Sequence, residues 1–229
     1  MKAKIARIDA AQPDAAVLER AAGLIMKGAV IVCPTDTGYA FAANALDGRA
    51  VTRVFQLKGR SYHNPIHIAV GSVAEAEQYA WLDEAARYLA EHYLPGALTM
   101  VLKKKDVVPA MLVAGGDTVG IRIPDNPAML RLLAMTGKPL TTTSANVSGR
   151  PTPYTVEEIV AQLEDDIAQV ALLIDQGPLR VRELSTIVDL TVSPPQLIRQ
   201  GRISWLEVRE TLRRFAPDDD EDTETEDEN

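Results

Sequence analysis

Apolar positions along the chain alternate between two periods. Val17, Leu18, Ala21, Ala22 and Ile25 recur at helical spacing behind Pro13, and Gly28 follows as a terminator. Residues 29–33 are continuously apolar and end at Pro34, which suits a strand buried on both faces. Val51, Val54 and Phe55 return to helical spacing behind Asp47, a capping residue, and the pattern stops near Gly59. Ser72 with Glu75, Thr155 with Glu158, and Ser204 with Glu207 form three capping-box patterns, each opening a predicted helix. Short apolar runs at 66–70, 98–102, 119–123, 140–142, 171–174, 186–190 and 197–199 read as strands. No internal repeat or long linker interrupts this alternation before Pro217. It predicts one α/β domain over residues 1–216, an open mixed or parallel sheet with helices on its faces.

Composition adds a boundary. The 229 residues are 46% hydrophobic, enough for one well-buried core. The net charge of −8 belongs to the end of the chain: residues 218–229 carry nine acids and no base, and without them the charge is +1. Such a block repels itself and buries nothing, so residues 217–229 are expected to be a disordered acidic tail, either solubilising or a docking segment. The lone Cys33 excludes a disulfide framework and a Cys-cluster metal site, and within an apolar run it reads as a buried structural thiol. The longest apolar run is far short of a membrane span, so a cytoplasmic protein without membrane contact is expected.

The common nucleotide signatures are missing: there is no G-x-x-x-x-G-K-[ST] and no G-x-G-x-x-G. His63, His67 and His92 form no H-E-x-x-H pattern, and there is no G-x-S-x-G elbow. Polar residues instead collect at the ends of apolar runs, where α/β proteins bind ligands. They are Thr35-Asp36-Thr37-Gly38-Tyr39; Lys58-Gly59-Arg60 with Asn64-Pro65; Arg122 within an apolar run; the hydroxyl-rich stretch 141–149; Ser185-Thr186; and Arg199-Gln200-Gly201-Arg202. Each has a structural reading. Lys58 and Arg60 could complement a helix C-terminus, partly exposed, so that truncating either would leave no buried partner unpaired. Arg122 could pair with Asp125 or Asp189. The Thr/Ser stretch could be an ordinary strand-to-turn connection. Lys103-Lys104-Lys105 reads as a solvated turn. Taken together, four cations and many hydroxyls at strand ends suit a polyphosphate plus a small polar molecule.

In order and spacing these groups resemble the YrdC/TsaC family of threonylcarbamoyl-AMP synthases, from about Ile31 to Arg199. The resemblance covers PTDT with GYA, KGR followed by NP, PGALT at residues 95–99, VGIRIPDNP, TTTSANVSGRPTP, STIVD and the closing IRQG. It implies a YrdC-like open twisted α/β fold around a positive cavity, and an enzyme, a nucleotidyltransferase. That enzyme joins ATP, L-threonine and bicarbonate or CO2 into threonylcarbamoyl-AMP with release of pyrophosphate. The product would pass to the tRNA threonylcarbamoyl-transfer machinery, and a contact with tRNA or double-stranded RNA is conceivable by the same resemblance. The family's K-x-R and S-x-N pairs fall here on Lys58, Arg60, Ser144 and Asn146, implied as catalytic. Thr35, Arg122, Thr142 and Ser185 fall at threonine-handling positions. Lys58, Arg60, Asn64, Ser144, Asn146, Thr152 and Arg199 fall at nucleotide-handling ones. Arg122 would take the threonine carboxylate in a bidentate fork. Lys58, Arg60 and Arg199 would steady the phosphates, with Mg²⁺ arriving with ATP and no metal held by protein side chains alone.

Three departures stand out. The family's V-Y-G-L stretch is Gly38-Tyr39-Ala40-Phe41, which leans toward the YciO branch and leaves a nucleotide- or RNA-binding protein without synthase activity as the alternative. The glutamate common before S-T is Leu184. A histidine common after the N-P pair is Ala69, but His67 lies two residues earlier, on the same strand face, where it could substitute.

Overall fold

The computed structural model describes residues 4–215. The tail expected at 217–229 lies outside the described residues. Eleven strands form two mixed sheets among these residues. The first holds β1 (Ile5–Arg7), β2 (Ile31–Thr35), β3 (Gly38–Ala42), β8 (Thr143–Ser144) and β9 (Leu172–Asp175), in the order β1-β9-β2-β3-β8. The second holds β4 (Ile68–Ala69), β5 (Leu98–Lys103), β6 (Thr118–Arg122), β7 (Leu140–Thr141), β10 (Thr186–Asp189) and β11 (Gln196–Arg199), in the order β11-β10-β5-β6-β4-β7. The single mixed sheet of the expectation is thus divided in two. The join is a short crossover: the chain leaves the second sheet at β7, passes Thr142, and enters the first at β8. Thr141 fastens it from below, accepting from the Ala43 N–H at 3.0 Å and donating to the Phe41 carbonyl at 2.9 Å.

The helices are α1 (Ala15–Met26), α2 (Gly48–Lys58), α3 (Val73–Ala76), α4 (Glu84–Tyr93), α5 (Pro127–Thr136), α6 (Val156–Leu163) and α7 (Trp205–Leu212). Asp47 caps α2 through the N–H groups of Arg49 and Ala50, as its position predicts. Of the three capping-box sequences, only Ser204 with Glu207 closes in both directions. In the other two the glutamate reaches one residue further back, to the N–H of Gly71 and of Tyr154. The pattern reading did not single out α4 and α5, although Asp83 and Asn126 cap them.

Strand alternation divides the interior. Val30 and Val32 face a large core shared with α2 and the second sheet, while Ile31 and Cys33 face a smaller core built with α1 and α5. β2 is therefore covered on both faces, the reason its sequence reads as an unbroken apolar run. Burial in this smaller core pushes the Cys33 thiol up, away from the reactive thiolate. No helix among the described residues is long and apolar enough to cross a membrane.

Candidate active site

Where the two sheets meet, their strand ends enclose a cavity of about 320 Å³. Register explains who faces it. Ile187 is paired with Thr99 on one side and with Arg199 on the other. Arg122 lies on the neighbouring strand β6, two residues beyond Gly120. Thr99, Arg122, Ile187 and Arg199 all line the cavity from one face of the second sheet. The first sheet contributes Thr35, the turn at Thr37 and Gly38, and Ser144 at the end of the crossover.

Three guanidinium groups line the wall and, among the described residues, no carboxylate does. Arg60 is anchored by its Nε to the Asn64 carbonyl at 3.2 Å and by Nη2 to that of Pro65 at 3.0 Å. Arg199 donates through Nη2 to the Ser185 carbonyl at 2.8 Å and hydroxyl at 3.0 Å. The Ser185 hydroxyl in turn meets Thr99 at 2.9 Å. Gly201 makes this arrangement possible, because a Cβ there would lie 2.3 Å from the Leu184 carbonyl oxygen and 2.5 Å from the Thr186 nitrogen. Burial lowers the pKa of all three arginines, and for Arg199 the nearby charge of Arg122 adds to it. Guanidinium nonetheless stays charged, so the cavity is a fixed cationic host for an anion.

Arg122 is buried, and its partner is neither Asp125 nor Asp189. Nη2 holds both oxygens of Asp36, at 2.7 and 2.9 Å, and Nη1 donates to the Thr37 hydroxyl at 2.6 Å. The fork expected to grip a ligand carboxylate is largely turned on Asp36, because a cation this buried needs a counter-charge within the protein. Its Nε is buried and has no partner among the described residues.

Lys58 corrects the sequence reading more sharply. It is 2% exposed rather than partly solvated. α2 ends at Gly59 in the left-handed conformation, and the side chain of the residue before it turns inward. Its Nζ donates to the Ser144 carbonyl at 2.5 Å, the Asn146 carbonyl at 3.1 Å and the Asn146 amide oxygen at 2.8 Å. Burial, aided by the charge of Arg60, pulls its pKa down to about 7. Ser144 Oγ donates to the same amide oxygen at 2.6 Å, and Asn146 Nδ2 closes the loop on the Arg150 carbonyl at 2.6 Å. The K-x-R and S-x-N pairs are therefore one network. Arg60 and Ser144 face the cavity, while Lys58 and Asn146 do not line it and brace the wall from behind.

Of the residues singled out by sequence, Thr35, Arg60, Arg122, Thr142, Ser144, Thr152, Ser185 and Arg199 line this one cavity. Asn64 does not; it is exposed and contributes its backbone carbonyl to Arg60. Sequence reasoning gave no role to Thr37, Thr99 or Asp36. Thr99 closes the quoted PGALT motif and Asp36 sits inside PTDT, so the motifs held them, but nothing local distinguishes a wall hydroxyl or a counter-charge from a loop residue. His67 also lines the cavity.

The family model Sua5_yciO_yrdC, described as telomere recombination, matches residues 23–201. The chain is 38% identical over 193 residues to the threonylcarbamoyl-AMP synthase of Pyrococcus abyssi, covering 84% of this chain and 56% of that protein. It is 39% identical over 187 residues to the putative threonylcarbamoyl-AMP synthase of Methanocaldococcus jannaschii, covering 82% and 86%. The crystal structure of Pyrococcus abyssi Sua5 complexed with L-threonine superposes with a TM-score of 0.86 at 35% identity, over 91% of this chain and 60% of that one. The chain thus spans little more than half of the Pyrococcus protein and most of the Methanocaldococcus one.

Proposed function

The chain belongs to the Sua5/YciO/YrdC family, and from that premise we propose that it is a threonylcarbamoyl-AMP synthase: a nucleotidyltransferase that consumes ATP, L-threonine and bicarbonate or CO2 and releases pyrophosphate. The observation that carries the reading is a wall with three fixed guanidiniums and, among the described residues, no carboxylate. Such a wall repels no part of a triphosphate or an amino-acid carboxylate, and its charges need no reorganisation as the reaction proceeds.

Arg60 and Arg199 face the nucleotide phosphates, with Ser144 and Thr152 supplying hydroxyls beside them. Arg122, held at the cavity wall by Asp36 and Thr37, lies on the side that receives the threonine carboxylate, and Thr35, Thr142 and Ser185 address its amine and hydroxyl. The carbamate oxygen formed on threonine attacks the α-phosphorus. The bond from that phosphorus to the bridging oxygen breaks, and pyrophosphate leaves with the electron pair. Negative charge grows on the leaving oxygens, and the two arginines are placed to meet it. Lys58 acts by holding the 144–146 loop in register rather than by touching phosphate.

Among the described residues no group of three or more His, Cys, Asp or Glu is placed to hold a metal. A divalent ion usually keeps one or two protein carboxylates beside the phosphates. Among the described residues this wall has none, so Mg²⁺ would enter on the nucleotide. The product would be handed to the machinery that transfers threonylcarbamoyl to tRNA.

Incubation with ATP, L-threonine and bicarbonate tests the reading. Pyrophosphate release that requires all three supports it. Nucleotide binding without turnover sinks it in favour of a binding protein of the YciO kind.

A further inference from the structure

Making a carbamate from an ammonium and bicarbonate liberates a proton, and most of this cavity cannot take one. Among the described residues its wall consists of guanidiniums, hydroxyls, one phenol and apolar groups, together with a single imidazole, that of His67. The Tyr39 phenol is no candidate, since burial raises its pKa and its hydroxyl already donates to the Gly177 carbonyl at 2.8 Å. Lys58 lies behind the wall and does not line the cavity; its Nζ faces three protein oxygens instead.

His67 is held in place by the sheet. It immediately precedes β4, and its carbonyl accepts from the Thr142 N–H at 3.0 Å, tying it to the crossover. On the other side the ring lies against Gly120: a Cβ at that position would stand 2.5 Å from the imidazole Cδ2. Glycine there is the space the ring occupies. The charged groups acting on it are Arg60 from the loop after α2, Arg122 from β6 and Arg199 from β11; β7 and the crossover after it bring the uncharged Leu140, Thr141 and Thr142, and Asp36 is spent on Arg122.

We propose that His67 is the catalytic base of carbamate formation, accepting the proton that the threonine ammonium releases as its nitrogen bonds to carbon. This rests on the synthase reading above. In the balanced step, His67 takes one proton from the threonine ammonium, and the nitrogen lone pair so freed forms the N–C bond as the C–OH bond of bicarbonate breaks. The departing hydroxide takes a second proton from the nitrogen to become water. A carbamate anion and an imidazolium remain. In the ligand-free cavity, burial and the three arginines hold His67 neutral, its pKa pulled down to about 4, so it is free to accept. A bound triphosphate and a bound carboxylate cancel the arginine charges, and the ring becomes a competent base only when both substrates are present.

Two measurements test this. The chain has three histidines, so the ring C–H resonances of His67 are assignable by comparison with His67→Gln. In CO2-depleted buffer, adding Mg·ATP and L-threonine to the wild-type protein is expected to move the His67 titration midpoint to about 6 or above. A midpoint unchanged when ATP is demonstrably bound overturns the proposal. Failure of ATP to bind at all, or of the wild type to turn over, overturns the synthase reading instead. His67→Gln is expected to melt normally at neutral pH, bind ATP within about threefold of wild type, and lose about a hundredfold or more in turnover. It is also expected to lose the acidic limb of the pH–rate profile. A variant retaining more than a tenth of wild-type turnover with that limb intact refutes the base.

Discussion

Lys58→Ala separates bracing from catalysis. The substitution removes a buried ammonium that three oxygens approach within 2.5–3.1 Å. Asn146 Oδ1 keeps the Ser144 hydroxyl as a donor, but the carbonyls of the half-buried Ser144 and the buried Asn146 lose this cation. A buried acceptor left unsatisfied costs about 1–3 kcal/mol, and two carbonyls lose their side-chain donor here. A total near 4 kcal/mol lowers the melting temperature of a domain this size by about 8–16 °C. Lys58→Met keeps the apolar stem and is expected to recover only the packing part of that loss. Arg60→Ala is the control: its protein partners are carbonyls of the exposed segment 64–65, worth at most about 1 kcal/mol. Its turnover should fall about a hundredfold or more, because a preorganised cation facing the phosphates is gone. The assay is thermal melting beside pyrophosphate release dependent on threonine and bicarbonate. Lys58→Ala melting within about 3 °C of wild type would refute the bracing argument.

Arg122→Lys keeps the charge but cannot hold Asp36 and Thr37 together, so calorimetry is expected to show threonine binding weakened about tenfold or more while ATP affinity stays near wild type. Equal loss of both would contradict the assignment. Gly201→Ala places a methyl against the backbone of residues 184–186, which cannot yield as a side chain would; a cost of about 1–3 kcal/mol and a matching fall in threonine binding are expected in melting and calorimetry. The ligand-free protein should be acid-sensitive through His67. Because its folded pKa is depressed, its contribution is complete above about pH 6.5 and is lost as pH falls through about 4. Denaturant titrations should show wild type losing up to about 3 kcal/mol relative to His67→Gln across that window. No difference between the two curves would show that His67 is not held neutral in the free cavity.

Helix starts and buried strands were readable locally, because their causes are local. Asp47 and Ser204 cap through their own next residues, and the run at 29–33 is apolar because both of its faces are covered. The missed strands have equally plain reasons. Ile5–Arg7 and Thr143–Ser144 are too short to show a period, and Gly38–Ala42 shows no alternation of apolar with polar residues because all five are buried. The spacing of motifs identified which residues share a site, and eight of them do line one cavity. What no window of sequence contains is direction. A lysine ending a helix reads as solvated unless a loop 86 residues away places carbonyls above it. An arginine in an apolar strand needs a counter-charge, but that Asp36 supplies it, 86 residues earlier, follows only from the way the second sheet packs against the turn between β2 and β3. Burial and pairing are properties of two segments brought together, and that meeting is decided by the tertiary packing of the whole domain.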